Sequence, residues 1–376
     1  MSANKQLDER RLDVLSKRRI TSHASDTHRE CSMTSSGKMQ GGKMQVLHRK
    51  LGRAAGALSV LFLALICHDA SAQDDSATIA VGYQRGLAYL PVILMDQQHL
   101  FEKHAARLGI KTTAEYRLLG GPAPIVDGLL GGALQGGVVG TPSAILLTDK
   151  TRDIKLIGSM GNFPMLFMTK SPGLKTVADI GPQDKIATVA VKTGIYSLVL
   201  QMKAAKLWGP ENFDRLDKYT VTMSHADALT AMLSGSGTIT VHGCSYPHAL
   251  QEQDAGAHVI LDSKEVLGGT NGMITGLVAS QRYCSANPKT CEALIAALTE
   301  AHQWINEDKD RAAKFFFDYG KTGETLPALQ KQIKSTEVKF TIKPEGLEPF
   351  ADFMYGVSKL VKTKLGYNDL VFDNLK

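Results

Sequence analysis

LLGGPAPIVDGLLGGALQGGVVGTPSAILL, running from Leu118 to Leu147, places two strand-to-loop-to-helix turns in thirty residues. An extended run ends at Tyr116 to Leu119, and Gly120-Gly121-Pro122 breaks it. Ile125, Leu129 and Leu130 then share one face of a helix expected over Ala123 to Leu134. Val138-Val139 is a short buried strand, and Gly140-Thr141-Pro142-Ser143 follows, with Pro142 suited to the first turn of a helix that carries Ala144 to Leu147 into the core. Glycine beside a strand end lets a ligand approach the backbone, and the new helix points unpaired N–H groups at the same spot.

Upstream, Thr78 to Gly82 reads as a buried strand with Tyr83-Gln84-Arg85-Gly86 as its loop. A helix then carries Leu90, Ile93 and Leu94, and a second helical segment ends at Gly109. Ile110 to Leu118 and Ile154 to Ser159 continue a β-α alternation that predicts a parallel sheet covered by helices. At Gly161-Asn162-Phe163-Pro164 the chain changes character, as expected of a crossing into a second domain. The pattern repeats there, with strands at Met165 to Thr169, Ile186 to Val191, Val221 to Met223, Thr238 to His242 and His258 to Leu261. Helices are expected at Ile195 to Leu207, Ala226 to Leu233 and Pro247 to Gln253. A glycine-rich return, LGGTNG, leads to a strand at Met273 to Ala279, so the chain crosses back. The remainder reads as helical: Cys291 to Ile305, Lys309 to Tyr319, Leu326 to Ser335 and Pro344 to Thr363, packed on the outside of the first domain. The expected domains are residues 73–162 with 273–376, and residues 163–272.

The 376 residues are 43% hydrophobic, enough for two cores except at the N-terminus. Residues 1–43 are polar and aperiodic, the composition of a disordered extension. From Met44 a basic stretch, the apolar run Ala54 to Ile66 and Ala70-Ser71-Ala72 before Gln73 make a secretory signal peptide over residues 44–72. Its apolar run is too short for a membrane span of about 20 residues. Polar residues so far ahead of a signal peptide point to a start at Met39 or Met44. Twelve of the 43 basic and six of the 37 acidic residues lie in the first 72, so the formal charge of +6 falls to zero, 31 of each sign, after cleavage. That argues against nucleic acid or an anionic membrane surface as partner.

Of the three remaining cysteines, Cys284 and Cys291 flank SANPKT, where either a bridge or two thiols fit an oxidising compartment. Cys244 reads as a small buried hydrophobe. With no CxxC and no zinc-type histidine spacing beside them, no metal is expected. The glycine-rich segments give neither GxGxxG nor GxxxxGK[ST], and no cofactor is expected. Ser236 and Ser245 lack a GxSxG elbow and an assignable carboxylate to orient a base.

Across Thr78 to Lys364 the chain resembles the nitrate/sulfonate/taurine group of ABC-transporter solute-binding proteins, also called SsuA/THI5-like or NMT1-like. The likeness is carried by YQRGLAYLP with HLFEKH, by the stretch quoted first, by VKTGIYSLVLQMKAA and SHADALTAMLSG, and by LGGTNG with the Asn287-Pro288 helix. It implies an α/β, two-lobed periplasmic binding protein fold (type II) with two chain crossings, a ligand cleft between the lobes and hinge closure. It implies a monomeric periplasmic protein that hands a small molecule to separate permease and ATPase subunits, without catalysis. The cysteine-rich iron-binding cluster of related fungal proteins is missing, and their enzymatic activity is not carried over.

The candidate solute contacts are Gln84, Arg85, Gly121, Thr141, Ser143, Asn162, Lys192, Thr193, Tyr196, Ser197, His225, His242, Ser245 and Thr270. Arg85, Lys192, His225 and His242 face one nearby acid, Asp227, and the loops before the helices at Thr141 and Ile195 offer N–H groups and hydroxyls. That combination suits an organic anion or zwitterion. Tyr83, Tyr89, Phe163 and Tyr196 would cover its apolar part. An exported hydrolase built on Ser245 with His242 or His225, and a ligand-sensing module of a membrane receptor, are the alternatives.

Overall fold

In the computed structural model, residues 78–320 and 324–376 are described; the expected extension and signal peptide lie outside them. In chain order the strands are β1 (Ile79–Tyr83), β2 (Ala114–Leu118), β3 (Gly136–Gly140), β4 (Ile154–Phe163), β5 (Leu166–Thr169), β6 (Ile186–Thr188), β7 (Thr220–Thr222), β8 (Val241–Cys244), β9 (His258–Asp262) and β10 (Gly272–Ser280). They form two five-stranded sheets, β2-β1-β3-β10-β4 and β7-β6-β8-β5-β9. The two orders are equivalent. In each, three parallel strands come first, and the next strand is antiparallel to both its neighbours. This corrects the expectation of a purely parallel sheet. The antiparallel strand is in each case the one that arrives from the other sheet: β5 directly after β4, and β10 after β9. Neither strand is joined to a neighbour by a helical crossover, so the parallel direction of β-α-β units does not apply to it.

The helices α1 (Leu90–Gln97), α2 (Leu100–Arg107), α3 (Pro122–Leu130) and α4 (Thr141–Thr151) belong to the first lobe, and α5 (Ile195–Trp208), α6 (His225–Ser234) and α7 (His248–Asp254) to the second. The opening stretch supplies α3, β3 and α4. Its strand is glycine-rich because α3 lies directly on it: a Cβ on Gly137 would come within 2.7 Å of Ile125 Cγ2 and 3.1 Å of Leu129 Cδ1. The tail contributes α8 (Gln281–Ala286), α9 (Pro288–Glu307), α10 (Lys309–Gly320), α11 (Leu326–Lys334), α12 (Leu347–Gly356) and α13 (Tyr367–Leu370). Leu294, Ala297, Leu298 and Ala301 of α9 are buried in one core with Ile79, Leu90, Ile93 and Phe101. Each large apolar side chain so buried contributes roughly 1.5–3 kcal/mol. The long helix expected over Pro344 to Thr363 is shorter, since α12 starts after Gly346 (φ 71°) and stops at Gly356. Phe353 of α12 packs edge-on against Phe213 of the second lobe, ring centroids 6.0 Å apart, so the tail touches both lobes.

Cys284 and Cys291 are bridged, with Cα atoms 5.5 Å apart, and tie α8 to the first turn of α9. Closing so short a loop removes about 2 kcal/mol of chain entropy from the unfolded state. Cys284→Ser/Cys291→Ser is therefore expected to melt a few degrees below the oxidised protein and at the same temperature as the reduced protein. Differential scanning calorimetry with and without reductant checks this.

Candidate functional site

Both lobes present loops at the carboxyl ends of their parallel strands. In the second lobe these are the segments after β6, β7 and β8, and the sequence puts a chemically distinct residue into each. Ser224 caps α6, its hydroxyl accepting from the Asp227 amide at 3.2 Å, which sets His225 on the first turn. His225 Nδ1 lies 3.0 Å from His242 Nε2, and His242 Nδ1 lies 2.6 Å from Glu252 Oε1 of α7. His248 stacks on His225 at 5.1 Å, and Tyr196 meets His225 edge-on at 5.2 Å. Burial, with His242 and His248 adding, holds the His225 pKa well below the usual imidazole value, and burial brings His248 down to about 4. The cluster is a group of three packed imidazoles with the buried Glu252 side chain at its inner end.

Cys244 and His242, two residues apart on a strand, share a face. The Cys244 thiol points at Glu252 Oε2 at 3.8 Å, and the thiol pKa is raised well above normal by burial and then by Glu252. Ligand atoms of His242, Cys244 and Glu252 lie within 4.8 Å of one another, a donor set that could hold a cation, although His242 and Glu252 already satisfy each other. Neither Glu252 nor His248 is among the candidates named from the sequence. The signal was there in part: strand alternation pairs His242 with Cys244, and helical spacing pairs His248 with Glu252. The missing carboxylate that counted against a hydrolase is thus present, but His242 turns its other nitrogen to His225. Ser245 is 5% exposed, and its Oγ has no hydrogen-bond partner among the described residues.

In the first lobe, Arg85 stands exposed after β1 with no ion pair among the described residues, and Gln84 beside it is half-buried. Gly121 precedes α3, and Ser143 is half-buried on the first turn of α4. Burial raises the hydroxyl pKa of Tyr89, at the start of α1, and that of Tyr196 in the second lobe above the usual phenol value.

Other expected contacts are spent inside the protein. Thr141 Oγ1 donates to the Met273 carbonyl, and Ser197 Oγ donates to Ala190 O at 2.8 Å. Asn162 is fully buried: its Nδ2 donates to Lys343 O at 3.0 Å, and its Oδ1 accepts from the Glu345 amide at 3.1 Å. Tyr83 bonds Tyr319 at 2.9 Å, and Phe163 packs edge-on against Phe340. Thr270 is exposed and donates to Leu267 O at 3.1 Å. Lys192 and Thr193 are exposed; Lys192, at φ 67°, lines a cavity of about 580 Å³ with Asn212, Asp214, Arg215, Asp217 and Lys218. Two carboxylates share that cavity, so Lys192 does not confront a solute as a lone cation.

Asn162 marks what the first crossing is for. With Asn271 of the second crossing, which donates to Glu337 O at 2.8 Å, it ties both inter-lobe connections to one tail segment, Glu337 to Glu345. Lys264 pairs with Glu337, and Lys331 of α11 pairs with Asp254 of α7 at 3.0 Å.

No family model and no curated protein sequence matches the chain. Solved structures do match. The alkanesulfonate-binding protein SsuA of Xanthomonas axonopodis pv. citri, solved bound to MOPS, superposes with a TM-score of 0.61 at 18% identity over 79% of this chain and 98% of its own. The periplasmic aliphatic sulphonate-binding protein SsuA of Escherichia coli gives 0.62 at 18% identity with the same coverage. A Candida albicans protein described as having the generic periplasmic binding protein fold gives 0.57 at 13% identity, over 79% of this chain and 96% of its own. At such identities the likeness establishes the fold. The chain has the α/β, two-lobed periplasmic binding protein fold with two crossings.

Proposed function

We propose that the chain is the exported solute-binding component of an ABC importer of the nitrate/sulfonate/taurine group, holding a small organic anion or zwitterion between its lobes and releasing it to a membrane permease. It carries out no chemistry on the solute. The observation that carries this proposal is that the loops at the carboxyl ends of the parallel strands carry exposed Arg85 in the first lobe and the His225 cluster in the second. In open α/β sheets that edge is where ligands bind. The two tail-pinned crossings support hinge closure, and the expected leader supports a periplasmic location. Among the described residues no helix is long and apolar enough to cross a membrane. Gln84, Gly121, Ser143 and Ser245 are the further contacts favoured by their placement.

Arg85 is the cation best placed for the solute, being exposed and without an ion pair among the described residues. A charge-assisted bond to an oxyanion contributes roughly 1.5–3 kcal/mol. Arg85→Ala is expected to weaken binding of a sulfonate or carboxylate solute ten- to a hundredfold by calorimetry. Lys192→Ala, cushioned by Asp214 and Asp217, should change it less. Unchanged affinity in Arg85→Ala overturns the placement of the anion.

A further inference from the structure

Three side chains with complementary metal-ligand chemistry converge at the inner end of the imidazole cluster. His242 and Cys244 leave one face of β8, and Glu252 reaches them from α7. His242 Nδ1 lies 2.6 Å from Glu252 Oε1, Cys244 Sγ lies 3.8 Å from Glu252 Oε2, and the donor atoms all fall within 4.8 Å of one another. Among the described residues no other three His, Cys, Asp or Glu side chains converge so closely. A tetrahedral dication with bonds of about 2.0–2.3 Å holds its ligand atoms about 3.3–3.8 Å apart, so shifts of about 1 Å or less would enclose one. His242, Cys244 and Glu252 are all buried, and no Lys or Arg pairs with Glu252 among the described residues. A thiolate and a carboxylate together cancel the charge of a dication, and the imidazole adds none, so the filled site is neutral where a net charge is costly. Thiolate and imidazole select zinc and its neighbours over magnesium or calcium. The outer support is also in place: His225 Nδ1 lies 3.0 Å from His242 Nε2, and a ligating histidine is commonly held through its second ring nitrogen in this way.

We propose that His242, Cys244 and Glu252 form a closed site for a zinc-like transition-metal dication, which ties β8 to α7 behind the solute-facing loops of the second lobe. His242 ligates through Nδ1, Cys244 as the thiolate, and Glu252 through its carboxylate. The metal takes the place of the hydrogen between His242 and Glu252 and of the thiol hydrogen, and its binding releases protons. The donors come from strand alternation and the helix that follows, which is why neither a CxxC nor a zinc-type histidine spacing announces them. Filling the site requires no solute, so this site and the solute-binding reading above stand or fall separately.

The test uses the chain from Gln73 onward, stripped of metal and kept free of reductant. Its cysteines are Cys244, Cys284 and Cys291, and with the last two bridged Cys244 is its single thiol. Cobalt(II) should bind one to one with the visible bands of tetrahedral coordination and a thiolate-to-cobalt charge-transfer band in the near ultraviolet, and zinc(II) should displace it. Zinc(II) should also raise the melting temperature. Cys244→Ser, checked for folding by circular dichroism, should lose the charge-transfer band and bind zinc(II) at least tenfold more weakly. The unaltered chain decides the matter even if that variant does not fold. Failure to bind cobalt(II) overturns the proposal, and so does cobalt(II) bound without the charge-transfer band, which would place the metal on the imidazoles instead. A charge-transfer band that survives in Cys244→Ser overturns it as well.

Discussion

His242→Leu is expected to lower the unfolding free energy by about 3–5 kcal/mol at neutral pH, the usual consequence of stranding one partner of a buried carboxyl–imidazole pair. His242 and Glu252 bond at 2.6 Å with almost no exposure, and leucine would leave the Glu252 carboxylate with only the weak Cys244 S–H donor at 3.8 Å. The stranded group escapes by taking a proton, so its folded pKa rises above its unfolded value of about 4.3. A raised folded pKa makes the folded state bind more protons, so stability is full at acid pH and falls as pH rises. The deficit of His242→Leu should therefore shrink as pH drops from 7 towards 5. Glu252→Leu should cost less, because a neutral imidazole left in the core strands no charge. The double variant His242→Leu/Glu252→Leu should lie close to the native protein, since apolar replacement of both partners is often neutral. Urea unfolding with an unchanged slope measures all three. A small, pH-independent loss in His242→Leu would contradict the buried pair.

The second large effect belongs to Asn162. Asn162→Ala is expected to destabilise by about 1–3 kcal/mol, because the part-buried Lys343 O and Glu345 amide both lose their side-chain partner, and an unsatisfied buried group costs roughly 1–3 kcal/mol. Its backbone also exchanges hydrogen bonds with Lys339, at 2.8 and 3.0 Å, and these survive the substitution. The tail segment should therefore stay attached but loosen. Hydrogen exchange at Lys343 to Glu345 is expected to accelerate more than exchange in β1 or β3. Wild-type stability in Asn162→Ala would show that the crossing is held by backbone pairing alone. The neighbouring Gly161, at φ 149°, explains why the crossing cannot carry a side chain there: a Cβ would meet Lys339 O at 3.0 Å.

The fold was legible because its units are local. Strand, glycine break and proline-started helix fall within a few residues of each other in the opening stretch, and β3 and α4 follow that chemistry directly. The direction of β5 and β10 was not legible, since it depends on which sheet a strand joins and not on its own residues. Asn162, Thr141 and Ser197 looked like loop polar groups suited to a solute. Each instead satisfies a backbone group that only the folded chain brings near, Met273 lying 132 residues from Thr141. His225 and His242 stood out because each falls at the end of an expected strand. Glu252, a glutamate inside a helix pattern, carried no sign that it would be the buried end of their hydrogen-bonded chain, because its burial comes from the packing of α7 on the second sheet.

The central claim is that the cleft holds a small organic anion. Thermal unfolding of the chain from Gln73 onward, screened against sulfonates, carboxylates, zwitterions and simple cations, tests it most directly. A solute present at a hundred times its dissociation constant stabilises by about 2.7 kcal/mol. The account predicts such an upward shift with at least one sulfonate, carboxylate or zwitterion, lost in part in Arg85→Ala. Stabilisation by a simple cation alone, or by none of these anions, would contradict it.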